Sequence, residues 1–192
     1  MSTWLIVVIV LAGVVLLVVL AYNWLVRKRN RVQESWAQID VQLKRRHDLI
    51  PNLVETVQGY AAHERATFQA VTEARAAAMT VGPTGDPTQI GSAETSLTQS
   101  LRGLLAVAEN YPELRASDNF LALQEQLVGT EDKIAFARQY YNGTVRDLNT
   151  TVQTFPVNLI AGAMGFRTAA YFEAAAGDRV VPEVELPPQP GR

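Results

Sequence analysis

The chain has 192 residues, with 17 Lys and Arg against 19 Asp and Glu, and it contains no cysteine. The absence of cysteine excludes disulfides, cysteine–zinc sites and thiol catalysis. Four of the basic residues precede Val32, so the chain from Val32 onward has 13 Lys and Arg against 19 Asp and Glu. This acidic balance argues against nucleic-acid binding, which normally requires a basic face.

The first predicted element is a membrane span, because residues Trp4 to Tyr22 form an uncharged apolar run, WLIVVIVLAGVVLLVVLAY. About 20 apolar residues are needed to cross the hydrocarbon layer as a helix. We expect a short outward-facing N-terminus at residues 1–3 and the transmembrane helix at residues 4–25. Aromatic and basic residues at both ends predict the anchor and its interfaces: Trp4, Tyr22, Trp24, Arg27, Lys28, Arg29 and Arg31.

The position of the basic residues predicts retention and orientation of this span. A cleaved signal peptide would carry its positive charge before the apolar run, whereas the first basic residue here, Arg27, follows it. Basic residues stay on the cytoplasmic side. The sequence therefore predicts a single-pass protein of the plasma (inner) membrane, with the lipid bilayer as a partner, the N-terminus outside and the remaining chain in the cytoplasm.

Beyond the span, apolar residues recur every three or four positions, the pattern of a helix with one buried face. Without a turn signal after Tyr22, we expect one helix to continue to about Met79 with a kink before Pro51. It would be much longer than a second helix at 88–110, leaving a membrane-proximal stripe uncovered. We expect this stripe to bind another copy or another membrane or cytoplasmic protein: Val32, Trp36, Ile39 and Leu43.

Two further helices are predicted after the second: a long one at 118–154, and a short Ala-rich one from Asn158 to about Ala176. The Pro-rich residues 178–192 predict an extended tail. The expected fold is therefore all-α, with one N-terminal transmembrane helix continuing into a cytoplasmic up-and-down four-helix bundle at residues 26–177.

Four charged residues share the register of the apolar stripes: Arg46, Glu64, Glu131 and Arg138. We interpret this polar seam as ion pairs that set helix register, because two acids and two bases can neutralise each other. The alternative is an ion relay or a catalytic carboxylate. Neither histidine lies in a Glu-x-x-His motif, so we expect no metal, no cofactor and no catalytic residue. Two glycosylation triplets, at Asn142 and Asn149, lie on a predicted cytoplasmic helix and are interpreted as chance.

The stretch from Tyr22 to Glu64, YNWLVRKRNRVQESWAQIDVQLKRRHDLIPNLVETVQGYAAHE, closely resembles the LemA family. The segments AVAENYPELRASDNF and LVGTEDKIAFARQYYN, and then Phe155-Pro156, follow in the order of that family. The resemblance covers almost the entire chain. It implies a bacterial-type membrane protein with one N-terminal span and a cytoplasmic helical bundle, and it implies no reaction.

These observations predict a non-enzymatic docking or scaffold protein anchored in a membrane. One alternative is a metal- or ligand-dependent enzyme or regulator that uses the charged seam or the polar region from Asp40 to Glu55. Another alternative is an oligomer that remodels membranes.

Overall fold

The computed structural model describes residues 2–82 and 86–173. Within these ranges the chain is helical, without a strand, which confirms the predicted all-α class. The helices are α1 (Thr3–Gln58), α2 (Arg65–Val81), α3 (Pro87–Glu109), α4 (Pro112–Arg115), α5 (Asp118–Gln153) and α6 (Val157–Ala163). The bounds of α3 and α5 agree with the predicted helices to within one residue. The predicted tail, 178–192, lies outside the described residues.

Helix α1 is continuous through Pro51 and has 56 residues, or roughly 84 Å at about 1.5 Å per residue. Its first part is apolar and exposed, with none of its most hydrophobic 18-residue window buried. By length and composition this part is suited to cross a membrane. Burial begins at Leu25 and recurs along one face as far as Val57.

The prediction that this first helix continues to Met79 is wrong, because α1 ends at Gln58 and the chain turns. The Ala61 N–H donates to the Val57 carbonyl oxygen at 2.9 Å, and Ala61 is buried in the core. Gly59, a weak helix former, stands at the point of departure. Helix α2 then returns antiparallel to α1, as shown by the Arg75 Nε donating to the His47 carbonyl oxygen at 2.8 Å.

Three apolar clusters follow one another along α1. The distal cluster joins the end of α1 to α2, α3, α4 and the start of α5. The middle cluster joins α1 mainly to α5 and includes Phe172. The basal cluster, closest to the apolar run, consists of buried Leu25, Ala161 and Phe166. Each cluster buries one part of the amphipathic face of α1, which is the main source of helical stability in a protein.

The expectation that the membrane-proximal stripe is left for another protein is also wrong. Val32, Ile39 and Leu43 are buried in the middle cluster, and Trp36 packs edge-on against the rings of Tyr141 and Phe172, with centroids 5.2 and 5.5 Å away. Helix α5 covers the stripe, because its 36 residues extend roughly 54 Å antiparallel to α1. The expectation was wrong because it considered only the length of the shorter second helix, at 88–110, and not that of α5.

The predicted helix from Asn158 to Ala176 ends early, at Ala163. Gly165 has a φ of 73°, and the Phe166 N–H donates to the Ala161 carbonyl oxygen at 2.9 Å. This left-handed glycine after the last turn, closed by the hydrogen bond, is a Schellman ending. Residues 167–173, named the strap here, then run without helix along α5.

Two asparagines of α5 hold the strap by paired hydrogen bonds. The Asn149 side chain accepts from the Ala169 N–H at 2.8 Å and donates to its carbonyl at 3.0 Å. Asn142 does the same for Phe172, at 2.9 and 3.0 Å. The seven-residue spacing places both amides on one face of α5, so the two asparagines of the glycosylation triplets have a structural role.

Candidate functional site

A polar layer separates the distal cluster from the middle cluster, and it is the candidate site. It consists of Arg46 and His47 on α1, Glu94 and Thr98 on α3, and Glu131 on α5. Arg46 lies three residues after Leu43 and four before Ile50, so the helical period turns it into the interior. Its exposed fraction is only 2%.

The Arg46 guanidinium contacts both carboxylates of the layer. Its Nη2 donates to Thr98 Oγ1 at 2.6 Å and to the Glu94 carbonyl oxygen at 3.2 Å. Its Nη1 lies 3.6 Å from Glu94 Oε2, and its Nε lies 3.1 Å from Glu131 Oε1. On the other side, His47 Nε2 lies 2.8 Å from Glu94 Oε1. One buried cation thus joins α1 to both α3 and α5.

Two carboxylates of the layer, those of Glu94 and Glu131, approach the single guanidinium of Arg46. Burial raises the pKa of Glu131, the nearby Arg46 lowers it, and the negative charge of Glu94 raises it again. The pKa of Glu131 is raised overall, since removal from water disfavours the ionised carboxylate. Glu94 Oε2 is buried and has no hydrogen-bond partner among the described residues.

A pocket of about 180 Å³ opens beside the layer, between α3 and α5. Arg46, Glu94 and Glu131 line its inner side, and Arg102 and Arg138 add two cations. This arrangement can receive a small polar ligand. The described residues hold no group of three or more Asp, Glu, His or Cys side chains placed to bind a metal ion.

The structure brings together three members of the predicted polar seam and separates the fourth. Arg46, Glu131 and Arg138 all line the pocket, whereas Glu64 stands at the N-cap of α2 and does not line it. Sequence reasoning missed Glu94. Its signal was present, because Glu94 lies four residues after Ile90 and three before Leu97, in the apolar register of α3.

At the other end of the domain, next to the apolar run, two of the predicted interface residues, Tyr22 and Lys28, contact later parts of the chain. The Tyr22 ring packs edge-on against Phe166 with centroids 5.8 Å apart. The Lys28 ammonium forms an ion pair with Asp147 and lies 4.9 Å from the Trp24 ring centroid. Trp4 and Trp24 are exposed, as are Arg27, Arg29 and Arg31, whereas Lys28 is half-buried. The domain is therefore packed against the end of the apolar run.

Comparison with known proteins relates the chain to the LemA family and to magnetosome proteins. The LemA family model matches residues 35–186. Magnetosome protein MamQ 2 of Paramagnetospirillum magneticum is 29% identical over 184 residues, covering 82% of this chain and 66% of the relative. MamQ of Magnetospirillum gryphiswaldense is 27% identical with the same coverage. Protein LemA of Metamycoplasma hominis is 28% identical over 160 residues, covering 82% and 71%. The chain thus spans just under two thirds of the length of these magnetosome relatives.

Proposed function

The chain belongs to the LemA family, and from this premise we propose that it is a single-pass membrane protein with a non-enzymatic scaffold or docking domain. In this proposal residues 4–25 span the inner membrane. The helices that follow form an up-and-down four-helix bundle in the cytoplasm, on the side of the basic residues 27–31.

The observation that carries the proposal is the continuity of α1. The exposed apolar run and the buried face belong to one helix, and Leu25, directly after the run, is fully buried in the basal cluster. Cleavage near the end of the run would remove part of this packing. Retention of the run as an anchor is therefore supported by the domain itself.

Thiol labelling tests the orientation, because the chain contains no cysteine. Single variants Ser2→Cys and Glu125→Cys are exposed to a membrane-impermeant maleimide in intact spheroplasts and after lysis. We expect labelling of S2C in intact spheroplasts and of E125C only after lysis. Labelling of E125C in intact spheroplasts contradicts a cytoplasmic domain.

An exposed apolar face supports docking as the role of the domain. Val41 on α1 and Phe136 on α5 are 61% and 73% exposed and line the same groove between these helices. A photoreactive amino acid at either position is expected to form an adduct with one defined protein in cells. The same probe at exposed Lys44 is the control. Adducts with lipid and with other copies of the chain alone would contradict docking.

The pocket beside the polar layer favours a second candidate function, the binding of a small ligand. Arg102 and Arg138 give its mouth cationic character, and a ligand that binds only the folded state raises the melting temperature with its concentration. Inorganic phosphate and glutamate are suitable probes. A concentration-dependent rise that is absent in Arg102→Ala supports this candidate, and equal melting curves contradict it.

A further inference from the structure

We propose that residues 155–164, named the basal segment here, insert apolar side chains into the membrane interface and give the domain a second contact with lipid. The inserted side chains are Phe155, Leu159 and Met164. This inference rests on the proposed membrane anchorage, but not on which side of the membrane the domain occupies.

Exposure is the first observation. Phe155, Leu159 and Met164 are 75%, 65% and 51% exposed. They fall within ten consecutive residues around the short helix α6. Large apolar side chains grouped in this way mark a contact site more often than isolated ones do.

The position of the basal segment selects lipid as its partner. Buried Ala161 of α6 packs in the basal cluster with Leu25, which lies three residues after Tyr22 at the end of the apolar run. Three helical residues correspond to roughly 4.5 Å along the axis. Phe166, two residues after the segment, packs edge-on against Tyr22 and holds the end of the segment at the same level. The apolar side chains therefore continue the exposed surface of the span.

The charge pattern fits insertion at an interface. Residues 148–166 contain no Asp, Glu, Lys or Arg, and charge returns only at Arg167. Insertion thus requires no charged group of the segment to leave water, which would be costly. Basic residues stand beside the segment instead, with the Arg29 guanidinium 5.4 Å from the Phe166 ring centroid. Cations at this level attract anionic headgroups.

The backbone of the segment is prepared for a medium of low polarity, where unpaired N–H and carbonyl groups are costly. After the last helical residue, the Met164 N–H donates to the Ile160 carbonyl at 2.9 Å, and the Phe166 N–H donates to the Ala161 carbonyl at 2.9 Å. The C-terminal end of α6, beside Met164, is therefore closed internally.

Lipid-dependent quenching of a fluorophore tests the proposal in the full chain. Leu159→Cys is labelled with an environment-sensitive dye and reconstituted in vesicles of phosphatidylcholine and phosphatidylglycerol, with and without lipids brominated both near the headgroup and near the chain ends. Leu121→Cys is the matched control, since Leu121 is also an exposed leucine, 48% exposed, but lies at the distal start of α5. Leu11→Cys reports on the span itself.

We expect brominated lipid to remove most of the emission at positions 11 and 159 and to leave position 121 unchanged. Quenching at 11 without quenching at 159 overturns the inference and leaves the anchor intact. Loss of quenching at both positions contradicts the anchor as well.

A blue-shifted but unquenched dye at 159 indicates a protein contact, and equal quenching at 121 and 159 indicates a domain lying flat on the membrane. Either of these results also overturns the inference.

Discussion

At the scale of single residues, Glu94 is the acid on which the polar layer depends. It is buried and contacts both Arg46 and His47, whereas Glu131 is partly exposed and, among the described residues, forms an ion pair with Arg46. Removing one partner of a buried ion pair costs about 3–5 kcal/mol, because the other charge stays buried without compensation. We expect Glu94→Gln to lower the free energy of unfolding by about 3 kcal/mol, measured by urea unfolding in detergent.

The matched variant Glu131→Gln is expected to change stability little at neutral pH. The raised pKa of Glu131 means that folding penalises its ionised form relative to water, and glutamine, which resembles the neutral form, removes this penalty together with the charge that pairs with Arg46. Equal losses in Glu94→Gln and Glu131→Gln would show that both carboxylates are needed to hold Arg46.

The same raised pKa predicts a pH dependence of stability. Between the unfolded and folded pKa values the native state binds more protons, so the free energy of unfolding falls as pH rises from the ordinary glutamate range through the raised folded pKa. Glu131→Gln should flatten this part of the curve, measured as urea midpoints from mildly acidic to neutral pH. Identical slopes in the variant and the parent would assign the dependence to other groups.

At the scale of the elements, the strap shows why α3 has a glycine at position 91. A Cβ built on Gly91 would lie 2.3 Å from the Glu173 carbonyl oxygen, so a side chain there displaces the end of the strap. Gly103, on the same helix, has open space around its Cβ position. We expect Gly91→Ala to lower the urea midpoint and to expose the strap to proteolysis.

The control Gly103→Ala should instead raise stability by about 0.5–1 kcal/mol, because alanine is the better helix former and nothing opposes its methyl group. If Gly91→Ala lowers stability and Gly103→Ala raises it, the difference separates the effect of close packing from that of helix propensity. A higher urea midpoint in both variants would contradict a tight contact between the strap and α3.

Helical periodicity was sufficient to predict α3 and α5, because both end at strong local signals such as Tyr111-Pro112. The turn after Gln58 was missed because no proline marks it, and the apolar period resumes in α2 almost in phase. The strap was missed because Ala-rich composition favours helix, while the decisive contacts come from Asn142 and Asn149 on another element. Glu94 was missed because a single acid in the apolar register of α3 does not reveal its partner, and the Arg46 that pairs with it lies on another helix.

At the scale of the whole molecule, α1 has a buried face that stabilises the domain and an exposed face that belongs to the proposed docking surface. Ile39 is fully buried against α5, whereas Val41, two residues later, is 61% exposed. We expect Ile39→Ala to cost about 2–5 kcal/mol of stability by leaving a cavity. Val41→Ala should leave the urea midpoint almost unchanged but reduce the photocrosslinking from Phe136. Loss of crosslinking without loss of stability would identify this face as the docking surface.

The rigidity of α1 also links the height of the domain above the membrane to the lipid contact of the basal segment. A Glu-Ala-Ala-Lys insertion between Trp24 and Leu25 keeps a helix-forming sequence and lifts the domain by roughly 6 Å, about one helical turn. The interfacial layer that such side chains enter is only about 5–10 Å deep, so quenching at Leu159→Cys should fall while quenching at Leu11→Cys persists. The urea midpoint should fall only slightly, since Leu25 and the clusters beyond it stay together and only the contacts of Tyr22 with Phe166 and of Trp24 with Lys28 cross the insertion. Unchanged quenching at position 159 would show that the span and the domain move independently, and that α1 does not act as one rigid helix.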